Sequence, residues 1–72
     1  MVTGETIRLL RNWKQLKQQT VAERLGISQP AYSKIERSKT LSKENIERLL
    51  PALRSTREEM KACEKLFSGK NS

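Results

Sequence analysis

Gln18-Gln19-Thr20-Val21-Ala22-Glu23-Arg24-Leu25-Gly26-Ile27-Ser28-Gln29-Pro30-Ala31-Tyr32-Ser33-Lys34-Ile35-Glu36-Arg37 is the stretch that sets the fold. Val21, Ala22 and Leu25 have the three-and-four spacing of a buried helical face, so a short helix is expected over residues 18–25. Gly26 follows at once, where a left-handed residue ends a helix. Ile27 then turns an apolar side chain inward and Ser28 caps a second helix. Pro30 falls in the first turn of that helix, where a missing N–H costs nothing. Tyr32 and Ile35, three apart, carry it to about residue 37. Two helices that cross steeply over so short a turn need a small side chain midway along the first. Ala22 is that residue, and Gly26 tolerates the positive φ of the turn.

Helical spacing continues on both sides. Upstream, a helix is expected over residues 5–14, capped by Thr3, with Ile7, Leu10 and Trp13 on one face and Leu9 widening it. Leu16 is an apolar anchor before the next helix. Downstream, residues 38–41 read as a loop. Ser42 caps a fourth helix that has Glu44 in its first turn and Ile46, Leu49 and Leu50 on its buried face. Pro51 is expected to end or kink it. Ser55 with Glu58 reads as a capping box opening a fifth helix, whose apolar stripe is Met60, Cys63, Leu66 and Phe67. That stripe either closes the core or leaves apolar surface for a dimer. Trp13 is read as packing against the fifth helix, with a partner surface as the alternative. The expected fold is all-α, a compact bundle of four to five short helices over residues 1–67, with residues 68–72 a polar, disordered tail.

Composition narrows the function. The 72 residues fit one domain, and a chain of this size buries only a modest core. Cys63 is the one cysteine and there is no histidine, so structural zinc sites and histidine-based catalytic pairs are excluded. A lone thiol suits a reducing cytosol, and its expected role is a small core residue rather than a redox sensor. No apolar run approaches the ~20 residues of a membrane span, and no basic-then-apolar secretory pattern opens the chain. A cytoplasmic protein is expected, with no cofactor, no membrane partner and no enzymatic activity.

The net charge is +7, and it is unevenly placed. Residues 1–43 hold nine cations (Arg8, Arg11, Lys14, Lys17, Arg24, Lys34, Arg37, Lys39, Lys43) against Glu5, Glu23 and Glu36. The remainder holds six cations and five anions, a balanced helical surface. The basic part is an electrostatic footprint for a polyanion, though charge alone leaves nucleic acid, an acidic membrane and an acidic protein open. Gln29, Pro30, Ser33 and Lys34 are what the second helix of the stretch leaves exposed. They make a polar face able to enter a major groove.

At these residues the chain resembles the phage-repressor type of helix-turn-helix, the Xre/Cro-like family, over roughly residues 7–60. The residues that carry the likeness are Val21-Ala22, Leu25-Gly26-Ile27-Ser28-Gln29 and Ser33-Lys34-Ile35-Glu36. The resemblance implies a lambda-repressor-like DNA-binding fold with the helix-turn-helix at helices 2 and 3. It implies a regulator that binds double-stranded DNA, typically a homodimeric repressor. By the same resemblance Gln29, Pro30, Ser33 and Lys34 face bases or nearby backbone. Gln18 holds a phosphate, and Lys39 and Thr40 touch the backbone from the loop after helix 3. Lys17, Ser28 and Lys43 are further phosphate contacts. Arg11 and Glu36 form an ion pair tying helix 1 to the end of helix 3. Departures from the pattern are Gln15 where glycine is frequent, Lys17 where Ser or Thr caps helix 2, Pro30 in place of a side chain that often reads a base, and Tyr32 in place of an aliphatic residue. Gln15 is expected to change how helix 1 ends. The competing interpretations are a plain helical hairpin, with Gln29 and Lys34 merely solvated, a protein-interaction module such as the antitoxin of a toxin pair, and an RNA-binding bundle.

Overall fold

The structure, a computed structural model, describes residues 2–69, and side chains through residue 66. Five helices follow one another: α1 Gly4–Trp13, α2 Gln18–Leu25, α3 Gln29–Glu36, α4 Lys43–Ala52 and α5 Arg57–Gly69. They form an all-α bundle in which α1 packs on α3 and α5, and α2 packs on α3 and α4. α5 runs through Gly69, so it continues past the boundary expected at residue 67. The rest of the expected tail, residues 70–72, lies outside the described residues.

Local chemistry starts most of these helices. The Thr3 hydroxyl accepts from the Thr6 N–H, and the Thr6 side chain returns the bond to the Thr3 N–H. Ser28 and Ser42 cap α3 and α4 by accepting from the Ala31 and Asn45 N–H groups. Lys17 gives α2 no side-chain cap. The start of α5 departs from expectation. Thr56 and Glu59, not Ser55 and Glu58, exchange the two capping bonds, each at 3.2 Å. The Glu59 carboxylate also lies 2.9 Å from Nζ of Lys14, the residue just after α1, so a tertiary ion pair favours this register.

Three helix ends share one solution, while α3 closes at Arg37 in the right-handed region. After α2, the Gly26 and Ile27 N–H groups return to the Glu23 and Ala22 carbonyls, and Gly26 has φ of 72°. After α1, Gln15 and Leu16 return to Asn12 and Arg11 in the same pattern, with Gln15 at φ 59°. After α4, Arg54 and Ser55 return to Pro51 and Leu50, with Arg54 at φ 52°. All three are left-handed endings that satisfy orphan carbonyls. Only one uses glycine. Gln15 therefore does not change how α1 ends; it takes the left-handed conformation at a cost. Pro51 stands one residue before the end of α4, close to the helix end expected there. It sits in the last turn, where its missing N–H forfeits one bond and Leu53 still donates to the Leu49 carbonyl.

The core comprises Ile7, Leu10, Val21, Ala22, Tyr32, Leu49, Leu50, Ala52, Leu53, Met60 and Cys63. Burial pushes the Cys63 thiol pKa up, which suits the structural role expected for it. One expectation fails. Trp13 is 59% exposed and does not pack under α5; α1 ends at that residue and Lys14 takes the contact with α5. Lys14 Nζ lies 5.6 Å from the indole centre. The α5 stripe divides between its two expected roles: Met60 and Cys63 close the core, Leu66 is 71% exposed, and the Phe67 side chain lies outside the described residues.

The α1–α3 contact is tighter than the sequence suggests. Gly4 donates its N–H to the Ser38 carbonyl at 2.9 Å. A Cβ at Gly4 would lie 2.3 Å from the Ile35 oxygen and 2.5 Å from the Glu36 oxygen, both backbone. A few residues along, Arg11 Nε donates to Glu36 Oε2 at 2.6 Å and its Nη1 to the Leu16 carbonyl at 2.8 Å. Glu36 is 5% exposed. Burial pushes its carboxyl pKa up, but hydrogen bonds from Arg11 and Gln18 overcome this and hold it below the ordinary carboxylate value. The Tyr32 hydroxyl is buried without a partner at hydrogen-bond geometry. Its pKa is raised, first by burial and then by the nearby Glu36 carboxylate.

Three outcomes follow for stability. Gly4→Ala should destabilise by about 2–3 kcal/mol in chemical denaturation, although alanine is the better helix former, because backbone atoms must move. Gln15→Gly should stabilise by about 0.5–1 kcal/mol by relieving the left-handed penalty. Glu36 has a depressed folded pKa, so its contribution is present above the ordinary carboxylate range and is lost as pH falls below about 4. Acid titration of the melting temperature should be flatter for Glu36→Gln than for the natural protein. An equal acid slope would mean the pair does not control acid stability.

Candidate nucleic-acid interface

α3 begins at the surface. Gln29, Pro30 and Lys34 are exposed along it, and Ser33 is half-buried. The Ser28 hydroxyl is engaged as acceptor for the Ala31 N–H. Packing of α2 on α3 brings Gln18 beside this face. Its Nε2 donates to Glu36 Oε1 at 2.9 Å, and its Oε1 accepts from Gln29 Nε2 at 3.4 Å. Thus Gln18, Gln29, Glu36 and Arg11 form one connected polar chain from surface to core.

Gln18, Ser33 and Lys39 line one open groove of about 570 Å³, whose wall also includes Thr3, Glu5, Arg8, Glu36, Arg37 and Ser38. The groove thus unites three of the expected DNA-contact residues with Glu36 of the expected ion pair. It does not include Ser28, Gln29, Pro30 or Lys34 on the α3 face, nor Lys17, Thr40 and Lys43, which are exposed elsewhere around α2 and the start of α4. Arg8 and Arg37 were missed as individual site residues. Their only signal was the basic excess of residues 1–43, which marks a region and not a position.

The structure sorts those cations. Arg11 is bonded to Glu36, Lys14 to Glu59 and Arg8 to Glu5. Arg24 Nη1 donates to the Ala52 carbonyl at 2.9 Å and so pins α2 to α4. Among the described residues, Lys17, Lys34, Arg37, Lys39 and Lys43 have no acidic partner within ion-pair distance, and all five are exposed. Five solvated cations and an uncapped helix start suit a polyanion. No group of metal-ligating side chains and no helix long and apolar enough to cross a membrane is present among the described residues.

No curated protein and no solved structure matches the chain significantly. A family model described as a helix-turn-helix domain matches residues 3–62, which takes in the Thr3 cap, the Gly26 turn and the start of α5. The chain therefore belongs to the helix-turn-helix domain family.

Proposed function

We propose that the protein is a sequence-specific transcriptional regulator, a repressor, that reads the major groove of double-stranded DNA with α3. The observation that carries this reading is the exposure of Gln29, Pro30 and Lys34 on one helix beside a groove lined by Arg37, Lys39 and Gln18. Base edges are read by side chains at the start of such a helix, and phosphates by the cations around it. Gln29 can pair with adenine through N6 and N7, and Pro30 can touch a thymine methyl. Gln18 and the open N–H groups at the start of α2 would take a phosphate, along with Lys17, Lys39, Thr40 and Lys43. The Ser28 hydroxyl can still donate outward while it caps α3. Action as a cytoplasmic homodimer on paired half-sites about one helical turn apart belongs to this proposal, as does binding without catalysis or cofactor. The alternative, a protein-interaction module such as an antitoxin, is favoured by the exposed Trp13 and Leu66.

Salt dependence tests the polyanion. If the five unpaired cations each meet one phosphate, log K against log[salt] should slope at about −4 to −5 per subunit. A flat response would remove nucleic acid as the partner. Base reading is tested on a duplex selected from a random pool. Gln29→Ala should cost about 1–3 kcal/mol there and relax the choice at one base position. Lys34→Ala should lose selectivity if it meets a guanine edge and weaken all duplexes alike if it meets a phosphate. Unchanged affinity and preference in Gln29→Ala would mean that α3 is not the recognition helix.

A further inference from the structure

One face of α1 runs along the end of α3. Gly4, Arg8 and Arg11 stand on it, four and then three residues apart. At its start Gly4 donates to the Ser38 carbonyl, with no room for a Cβ between the two backbones. Toward its end Arg11 is bonded to buried Glu36. Arg8 lies between these two fixed points and lines the open groove with Arg37 and Lys39. Its guanidinium is bonded to Glu5, one turn back on the same helix. This pair differs from the one beside it. The Arg11 and Glu36 side chains are 12% and 3% exposed, whereas those of Arg8 and Glu5 are 52% and 36% exposed. An exposed pair at this spacing is weak and readily exchanged.

We infer that Arg8 is a further phosphate ligand, bonded to Glu5 in the free protein and passed to a backbone phosphate when a duplex enters the groove. The inference rests on the proposed partner being double-stranded DNA. Glu5 takes one terminal nitrogen, Nη2, while a guanidinium carries five N–H donors in a fork that fits two phosphate oxygens. Glu5 lines the groove too, so a phosphate arriving at Arg8 repels the carboxylate that it replaces. Arg37 and Lys39 line the same groove, and with Arg8 they present three cations to one stretch of backbone. The contact extends the interface from α2 and α3 to α1. Glu5, a carboxylate on the phosphate path, then weakens binding to every duplex.

Salt titrations of the full chain on a selected duplex and on an unrelated one of equal length test this. Arg8→Gln should make log K against log[salt] shallower by about 0.9 on both duplexes. It should also weaken both alike, on the order of tenfold. Arg8→Lys keeps the charge and should keep the slope. Selection from a random pool should return the same base preferences for both variants, because phosphates carry no sequence. Glu5→Gln should tighten binding about twofold to fivefold. That gain should shrink in the Arg8→Gln background, where there is no pair left to break. An unchanged slope in Arg8→Gln beside a shallower one in Lys39→Gln would overturn the role of Arg8 and leave DNA binding standing. An equal gain from Glu5→Gln in both backgrounds would overturn the exchange. A flat salt response of the natural protein would remove the nucleic-acid reading, and this inference would fall with it.

Discussion

Glu36 is a charged group with almost no exposure, and a buried carboxylate is tolerated only when its partners replace the water it lost. Arg11 supplies two of those bonds and Gln18 a third. The partners come from α1 and α2, so satisfying one oxygen pair fixes three helices relative to one another. Arg11 also reaches the Leu16 carbonyl, which ties down the chain between α1 and α2. The close approach of Gly4 to the end of α3 belongs to the same constraint, because a Cβ there would hold the two helices apart. Such a pair is weak as a source of net stability and strong as a determinant of geometry.

That geometry is what the exposed face requires. Gln18 and Gln29 meet because α2 packs on α3, a contact that the small Ala22 and the left-handed Gly26 turn permit. The polar chain then runs unbroken from the Arg11 guanidinium to the surface of α3. A protein with so small a core cannot stiffen a surface side chain by packing alone. Hydrogen bonds to a buried charge do that here, in the low-dielectric setting where they are strongest.

The cations show a division of labour that net charge conceals. Arg24, Lys14 and Arg11 join helices, by a carbonyl or by a carboxylate. Lys17, Lys34, Arg37, Lys39 and Lys43 remain solvated, and three of them lie between the middle of α3 and the loop after it. The same residue types therefore serve architecture and attraction, and only the neighbours tell them apart.

Features fixed within a few residues were legible in the sequence. The caps at Thr3, Ser28 and Ser42, the span of α2, and the Gly26 turn each depend on local hydrogen bonds and backbone sterics, which local residue types specify. The Arg11–Glu36 pair was reached by resemblance, not by spacing. What tertiary structure decided involves residues far apart in the chain. Lys14, just after α1, meets Glu59, and with that contact the α5 cap lies at Thr56, one residue past the expected serine. Gly4 reads as an ordinary first-turn residue until the α3 backbone lies against it. Trp13 has the spacing of a core residue, yet periodicity cannot say where a helix stops relative to its neighbour. Gln18 reads as a surface polar residue at a helix start, and only the packing of α2 on α3 places a buried carboxylate on one side of its amide and Gln29 on the other.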